Sequence, residues 1–246
     1  MISIFKKILR LIKELDFRFI KNKSTVRAHF GSSMFISENV KILNSRITVL
    51  DGGCLSIDDN CTIENVDMHI SGTVTIGSNN IFSGDKSARI SISVGQGEFV
   101  IGSHNRLKCR IMVRFGGILK IGDHNNINDR SEIRCDESVT IGDYNQISYD
   151  CTMWDTNTHN IYDDAMRREL TDKHYPIFGF EFEKPKTKPI VIENDCWIGK
   201  DCSILKGVVL RGSCIIGYRA TLSNCEVSSG KVLVPNIEYK IFDRKY

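Results

Sequence analysis

The chain has 246 residues, of which 41% are hydrophobic and 26% charged, a balance that excludes a disordered protein. Its formal net charge of +3 is too small to argue for nucleic acid by itself. It contains no run of about eighteen apolar residues, so no segment is expected to span a membrane. Residues 2 to 20 are predicted as an amphipathic helix with Phe5, Ile8, Leu9, Ile12, Leu15 and Phe19 on one face. Lys6, Lys7, Arg10, Lys13, Arg18, Lys21 and Lys23 make the segment basic. Two uses stay open for it: covering the open end of a repeat domain, or peripheral contact with an anionic membrane surface. Charges interrupt its apolar residues, so no secretory leader is expected.

From about Met34 the pattern becomes a repeat, with a first recognisable unit at Leu55, Ile57, Cys61 and Ile63. Ile-Gly pairs follow at Ile76-Gly77, Ile101-Gly102, Ile121-Gly122 and Ile141-Gly142, the last three spaced by twenty residues. Between them lie Leu107, Val113, Ile127, Ile133, Ile147 and Met153. The repeat is clearest at the end, where aliphatics recur every six positions at Ile192, Ile198, Ile204, Leu210, Ile216 and Leu222. A second, smaller set precedes them at Ile190, Cys196, Cys202, Val208, Cys214 and Ala220. A period of six fits neither a helix nor a long alternating strand. It fits a triangular prism in which three short strands and three corners close one coil. Gly199 and Gly217 follow inward aliphatics, where a corner is expected to need a conformation that side chains resist.

The spacing reads six, six and eight, with the two additional residues at the third corner, near Gly116-Gly117 and again near Asp136. In the next coil that corner falls after Met153, where the periodicity stops until about Ile190. Residues 154–190 therefore form a long loop that leaves the prism, a length usually associated with function or mobility. The expected organisation is one elongated domain: a lead-in over 1–33, coils over 34–228 interrupted by 154–190, and an extension over 229–246.

Asn80, Asn105, Asn125 and Asn145 fill the small hexad position and are expected to stack as a ladder. His104, His124 and Tyr144 form a second row at the same spacing, without a third metal ligand, so no metal is expected there. The nine cysteines include no CxxC pair, and several sit at the small inward position, so free structural thiols in a reducing cytoplasm are expected. His159 lies where the prism opens into the loop, and an imidazole near its free pKa accepts a proton at neutral pH. Asp136, one coil earlier on the same edge, is expected to orient that imidazole or to bind a substrate hydroxyl.

The run Val139-Thr140-Ile141-Gly142-Asp143, then Thr158-His159, the loop, and Cys196-Trp197-Ile198-Gly199-Lys200 with Gly207-Val208 resembles the hexapeptide-repeat acyltransferases. The resemblance covers most of residues 34 to 222 and is nearest to sugar O-acetyltransferases, including those that modify capsules and O-antigens. It implies a mainly β fold, a left-handed parallel β-helix, with acetyl-CoA as acetyl donor and a saccharide acceptor. His159 matches that family's general base, in a direct transfer without an acyl-enzyme. Asn128 and Asp136 match acceptor-binding residues, and Trp154 is available to stack on a sugar. Trp197 matches an aromatic beside the pantetheine arm and thioester. Lys200, after Gly199, matches an amide donor to the thioester carbonyl. The resemblance further implies a homotrimer with active sites between subunits, working in the cytoplasm or at the inner face of the membrane.

After Gly217 the chain departs from that pattern, with Tyr218 and Arg219 where small residues are usual and no Gly-Asn-Pro-Ala-Lys-like ending. Arg219 and Lys231 are left as candidates for the CoA phosphates. Two other readings stay open: acetyl transfer to the amine of a nucleotide-linked amino sugar, and a non-catalytic β-helix that binds glycans.

Overall fold

The computed structural model describes residues 20–246 except 86, 87, 178–180, 182, 239, 243, 245 and 246. The predicted helix over residues 2 to 20 lies outside the described residues, save that Ile20 opens a strand. The rest is a parallel β-solenoid of about ten turns, with sheets of ten, nine and nine strands. The first face runs from Ile20–Asn22 to Val232–Leu233. The second runs from Thr25–Ala28 to Thr221–Leu222, and the third from Ser33–Ile36 to Glu226–Val227. The coils therefore begin before residue 34 and continue past 228, because Val26 at one end and Leu233 at the other pack on the same core.

The six-residue period has a direct structural cause. Successive members of the aliphatic set fall on successive faces, so each face stacks one member per coil. Ile76, Ile101, Ile121, Ile141, Ile192, Leu210 and Val227 are in register on the third face. Phe82, Leu107, Ile127, Ile147, Ile198, Ile216 and Leu233 are in register on the first. Ile92, Ile111, Ile133, Met153, Ile204 and Leu222 complete the interior from the second. Inward alternation along each short strand buries these side chains on one another in a continuous column.

The corners are set differently from the sequence expectation for Gly199 and Gly217. Neither glycine has a positive φ; Asp201 and Arg219, two residues further on, do, at 58° and 60°. Glycine is needed at 199 because a Cβ there would lie 2.9 Å from the Ile216 carbonyl oxygen of the next coil. Close stacking of coils, and not the turn conformation, excludes the side chain.

The asparagine ladder forms as expected. Asn80 Oδ1 accepts from the Asn105 amide at 2.8 Å, Asn105 Oδ1 from the Asn125 amide at 2.7 Å, and Asn125 Oδ1 from the Asn145 amide at 2.9 Å. All four asparagines are buried. The cysteines are free, seven buried and two, Cys54 and Cys225, half-buried. Burial pushes the Cys109 thiol up to about 12 and the Cys151 thiol up to about 11. Iodoacetamide at about pH 8 is expected to modify Cys54 and Cys225 in the native protein and the other seven only after unfolding, read by intact mass. Full native labelling would contradict the packing.

One segment departs from the coils. Between Thr152–Trp154 on the second face and Ile190–Ile192 on the third, residues 155–189 make an excursion at the second-to-third corner. It carries the helix Asp164–His174, with none of its residues buried. Asp163 caps that helix by accepting from the Met166 amide at 2.9 Å, and Asp164, Lys173 and His174 complement its dipole.

Candidate functional site

The base of the excursion is fixed before its tip. Thr156 and Thr187 form an antiparallel bridge, the Asn157 amide donates to the Lys186 carbonyl at 2.9 Å, and the Lys188 amide to that of Asp155 at 2.9 Å. Asp155, which the sequence did not single out, anchors this neck from inside. Its carboxylate is buried and accepts from the amides of Asp136, Glu137 and Ser138 at 2.8, 2.8 and 2.7 Å. Burial pushes its carboxyl above the ordinary value, against the pull of those three amides.

Four residues beyond this anchor stands His159, with 54% of its side chain exposed. Its Nδ1 lies 3.0 Å from Glu181 Oε1, and the other carboxylate oxygen of Glu181 accepts from Asn160 Nδ2 at 3.1 Å. Asn160 also donates to the Glu183 carbonyl at 3.2 Å. The Glu181 carboxylate thus engages one ring nitrogen of a half-exposed imidazole.

The carboxylate within hydrogen-bond distance of His159 is that of Glu181. Asp136 is fully buried, and its two oxygens accept from Arg114 Nε at 2.9 Å and Nη2 at 2.8 Å. Both Asp136 oxygens thus bond the Arg114 guanidinium. Asn128 sits at the first-to-second corner and donates through Nδ2 to the Ile147 carbonyl at 3.2 Å. Trp154 lies on the second face with the Arg134 guanidinium 4.6 Å from its ring centroid, and its buried Nε1 has no hydrogen-bond partner among the described residues. Asn128, Trp154 and Asp136 therefore occupy two corners and the face between them.

Trp197 stands on the outward side of the first face, 57% exposed and in register with Ile215 and Val232. Gly199 and Gly217 follow Ile198 and Ile216 at the end of that face. Lys200 Nζ lies 3.5 Å from Asp150, and Arg219 Nε lies 3.6 Å from Asp201 while its guanidinium stacks on Tyr218. Lys231 is exposed just before Val232. Trp197, Ile215 and Val232 thus line up along one face. In a triangular prism the second-to-third corner is opposite the first face. His159 and Trp197 of one chain consequently stand on opposite sides.

The histidine row forms a stack, with His104 and His124 at 4.8 Å and His124 and Tyr144 at 4.7 Å between ring centroids. Among the described residues no group of three potential metal ligands assembles. The sequence carried no signal for Glu181, which follows His159 by 22 residues inside an aperiodic stretch.

No family model and no curated protein matches the chain. Among solved structures it is similar to the polySia-specific acetyltransferase NeuO, at 18% identity over 89% of this chain and 83% of that one, with a TM-score of 0.50. It is also similar to the polysialic acid O-acetyltransferase OatWY, at 15% identity over 90% and 94% of the two chains, with a TM-score of 0.44. A hexapeptide-repeat-containing acetyltransferase from Vibrio cholerae O1 biovar eltor, complexed with acetyl coenzyme A, is 24% identical over 51% of this chain and 60% of that one, with a TM-score of 0.39. The first of these identifies the shared fold as the β-solenoid of NeuO.

Proposed function

We propose that a chain folded on this solenoid, with an exposed imidazole held by a carboxylate at its edge, is an acetyl-CoA-dependent O-acetyltransferase acting on a surface glycan or its precursor. The observation that carries the proposal is the His159–Glu181 pair at 3.0 Å. The shared fold with NeuO and the sequence resemblance support it. The coils are taken as left-handed on the same resemblance.

In this reading Nε2 of His159 takes the proton from an acceptor hydroxyl as its oxygen bonds to the thioester carbon. The carbon–sulfur bond then breaks, the acetyl group stays on the sugar oxygen, and the proton leaves with the thiol of CoA. Glu181 orients the ring and stabilises the imidazolium that forms. The amide of Lys200 faces the carbonyl oxygen as negative charge develops there. No cysteine takes part, in keeping with the burial of seven of the nine. Trp197 packs on the pantetheine arm, and Lys200, Arg219 and Lys231 meet the phosphates.

Because His159 and Trp197 of one prism stand on opposite sides, a complete site needs a second copy. A homotrimer supplies it: Trp197 of one prism lies beside His159 of the partner subunit, repeated by cyclic symmetry. Among the described residues no helix is long and apolar enough to cross a membrane. We place the reaction in the cytoplasm or at the inner face of the membrane, where acetyl-CoA is made.

The test is CoA release from acetyl-CoA across capsule and O-antigen fragments, with nucleotide-linked amino sugars as the competing acceptor class. Release with a hydroxyl acceptor supports the proposal; turnover confined to the amine acceptors, or none with any, overturns it. In the same assay Trp197→Ala is expected to raise the KM for acetyl-CoA about tenfold, the effect of roughly 1.4 kcal/mol of lost apolar contact, while the KM for the acceptor stays nearly constant. An unchanged KM for acetyl-CoA would remove Trp197 from the donor site.

A further inference from the structure

His159 is followed by a side chain that the proposed reaction does not use. Asn160 Nδ2 lies 3.1 Å from Glu181 Oε2 and 3.2 Å from the Glu183 carbonyl oxygen. Both partners only accept, so the amide presents its NH2 group to them and spends both hydrogens on the returning limb. The outgoing limb reaches this point under strain. Thr158, a β-branched residue, has a φ of 66°, and its amide donates to Thr156 Oγ1 at 3.0 Å. Such a conformation persists only where neighbouring contacts hold it. The Thr156–Thr187 bridge holds it on one side and the two bonds of Asn160 hold it on the other.

The consequence falls on His159 through Glu181. The Glu181 side chain is only 11% exposed, so its oxygens depend on donors within the protein. Asn160 takes one of them, Oε2, which sets the plane of the carboxylate and leaves Oε1 3.0 Å from His159 Nδ1. A carboxylate has no proton to give, so Nδ1 carries the hydrogen of the neutral ring and the lone pair is on Nε2. Without Asn160 the carboxylate is free to turn about its last bond, and the ring loses the contact that selects this tautomer.

We propose that Asn160 is a positioning residue, which acts through Glu181 to keep His159 in the tautomer that accepts a proton at Nε2. The inference rests on the transferase reading for its purpose and on the three hydrogen bonds for its chemistry.

The experiment takes two readouts from the full chain. Long-range 1H–15N correlation of 15N-labelled protein at about pH 8, where free imidazole is neutral, reads the tautomer, with the His159 signal assigned by its loss in His159→Gln. The Nδ1–H form is expected in the wild type. A mixture of both forms is expected in Asn160→Ala and in Asn160→Asp, which sets a carboxylate against two acceptors. In CoA release, Asn160→Ala is expected to lower kcat about tenfold with the KM for acetyl-CoA unchanged and the Tm lower by less than about 4 °C. The Asn160→Ala/Glu181→Gln double variant should be no slower than Glu181→Gln alone, because a residue that acts only through Glu181 then has nothing to act on. A packing role gives losses that multiply. Multiplying losses, wild-type kcat in Asn160→Ala, a mixed tautomer already in the wild type, or an unchanged one in both variants would each overturn the proposal. A tautomer that shifts as expected, without CoA release with any acceptor, retains the coupling of Asn160 to His159 and removes the transferase. Transfer that depends on His159 and not on Asn160 does the reverse.

Discussion

Replacing His159 with alanine is expected to lower the rate of acetyl transfer by about 100- to 10,000-fold, the usual contribution of a positioned general base. Direct attack leaves no covalent intermediate to share that burden, so the loss falls on kcat. The KM for acetyl-CoA should hardly move, because in this reading the pantetheine arm packs on Trp197 and not on the imidazole. Glu181→Gln keeps the shape of the side chain and removes its charge. It is expected to cost less, about tenfold to a hundredfold, through an imidazole that is less well oriented and an imidazolium that is less stabilised. Steady-state CoA release with both variants decides the matter. Wild-type turnover in His159→Ala removes the base; wild-type turnover in Glu181→Gln alone makes the 3.0 Å contact structural only.

The second large effect is on stability. Asn125→Ala removes the oxygen that accepts from the Asn145 amide at 2.9 Å and the amide that donates to the Gly142 carbonyl at 2.8 Å. The surviving Asn145 amide is buried and the Gly142 carbonyl half-buried, and an orphaned buried polar group costs about 1–3 kcal/mol. The sum, about 2–5 kcal/mol, lowers the Tm by about 10 °C for a chain of this size. Asn145→Ala is expected to cost less, because Asn145 Nδ2 already has no hydrogen-bond partner among the described residues. Asn80, Asn105 and Asn125 give that proton to the carbonyls of Gly102, Gly122 and Gly142, and the equivalent position of the next coil is Glu193. Thermal unfolding of the two variants reads the order directly; equal losses would mean that the ladder is not what holds this corner.

The outline of the fold was legible in the chain because each coil repeats one rule. An aliphatic every six residues is the projection of three short faces onto sequence, and Ile192, Ile198 and Ile204 fall on the three faces in turn. The departure after Met153 was legible for the same reason, since a regular period makes its own interruption visible. The reason for Gly199 was not, because a close approach between coils leaves the same glycine in the sequence as a strained turn does.

For the site, the sequence by itself determined where the chain leaves the prism, that His159 sits on that departure, and that Trp197 belongs to the coils that follow. Tertiary structure alone decided what each of these meets. Periodicity reports which residues point inward, but the partners of an aperiodic loop are set by how it folds back, and nothing in the spacing ties Glu181 to His159. The same folding consigned Asp136 to Arg114 and put Asp155 beneath the neck. A repeat fixes faces through local geometry, whereas the pairing of charges depends on which chain segments come within a few ångströms of one another.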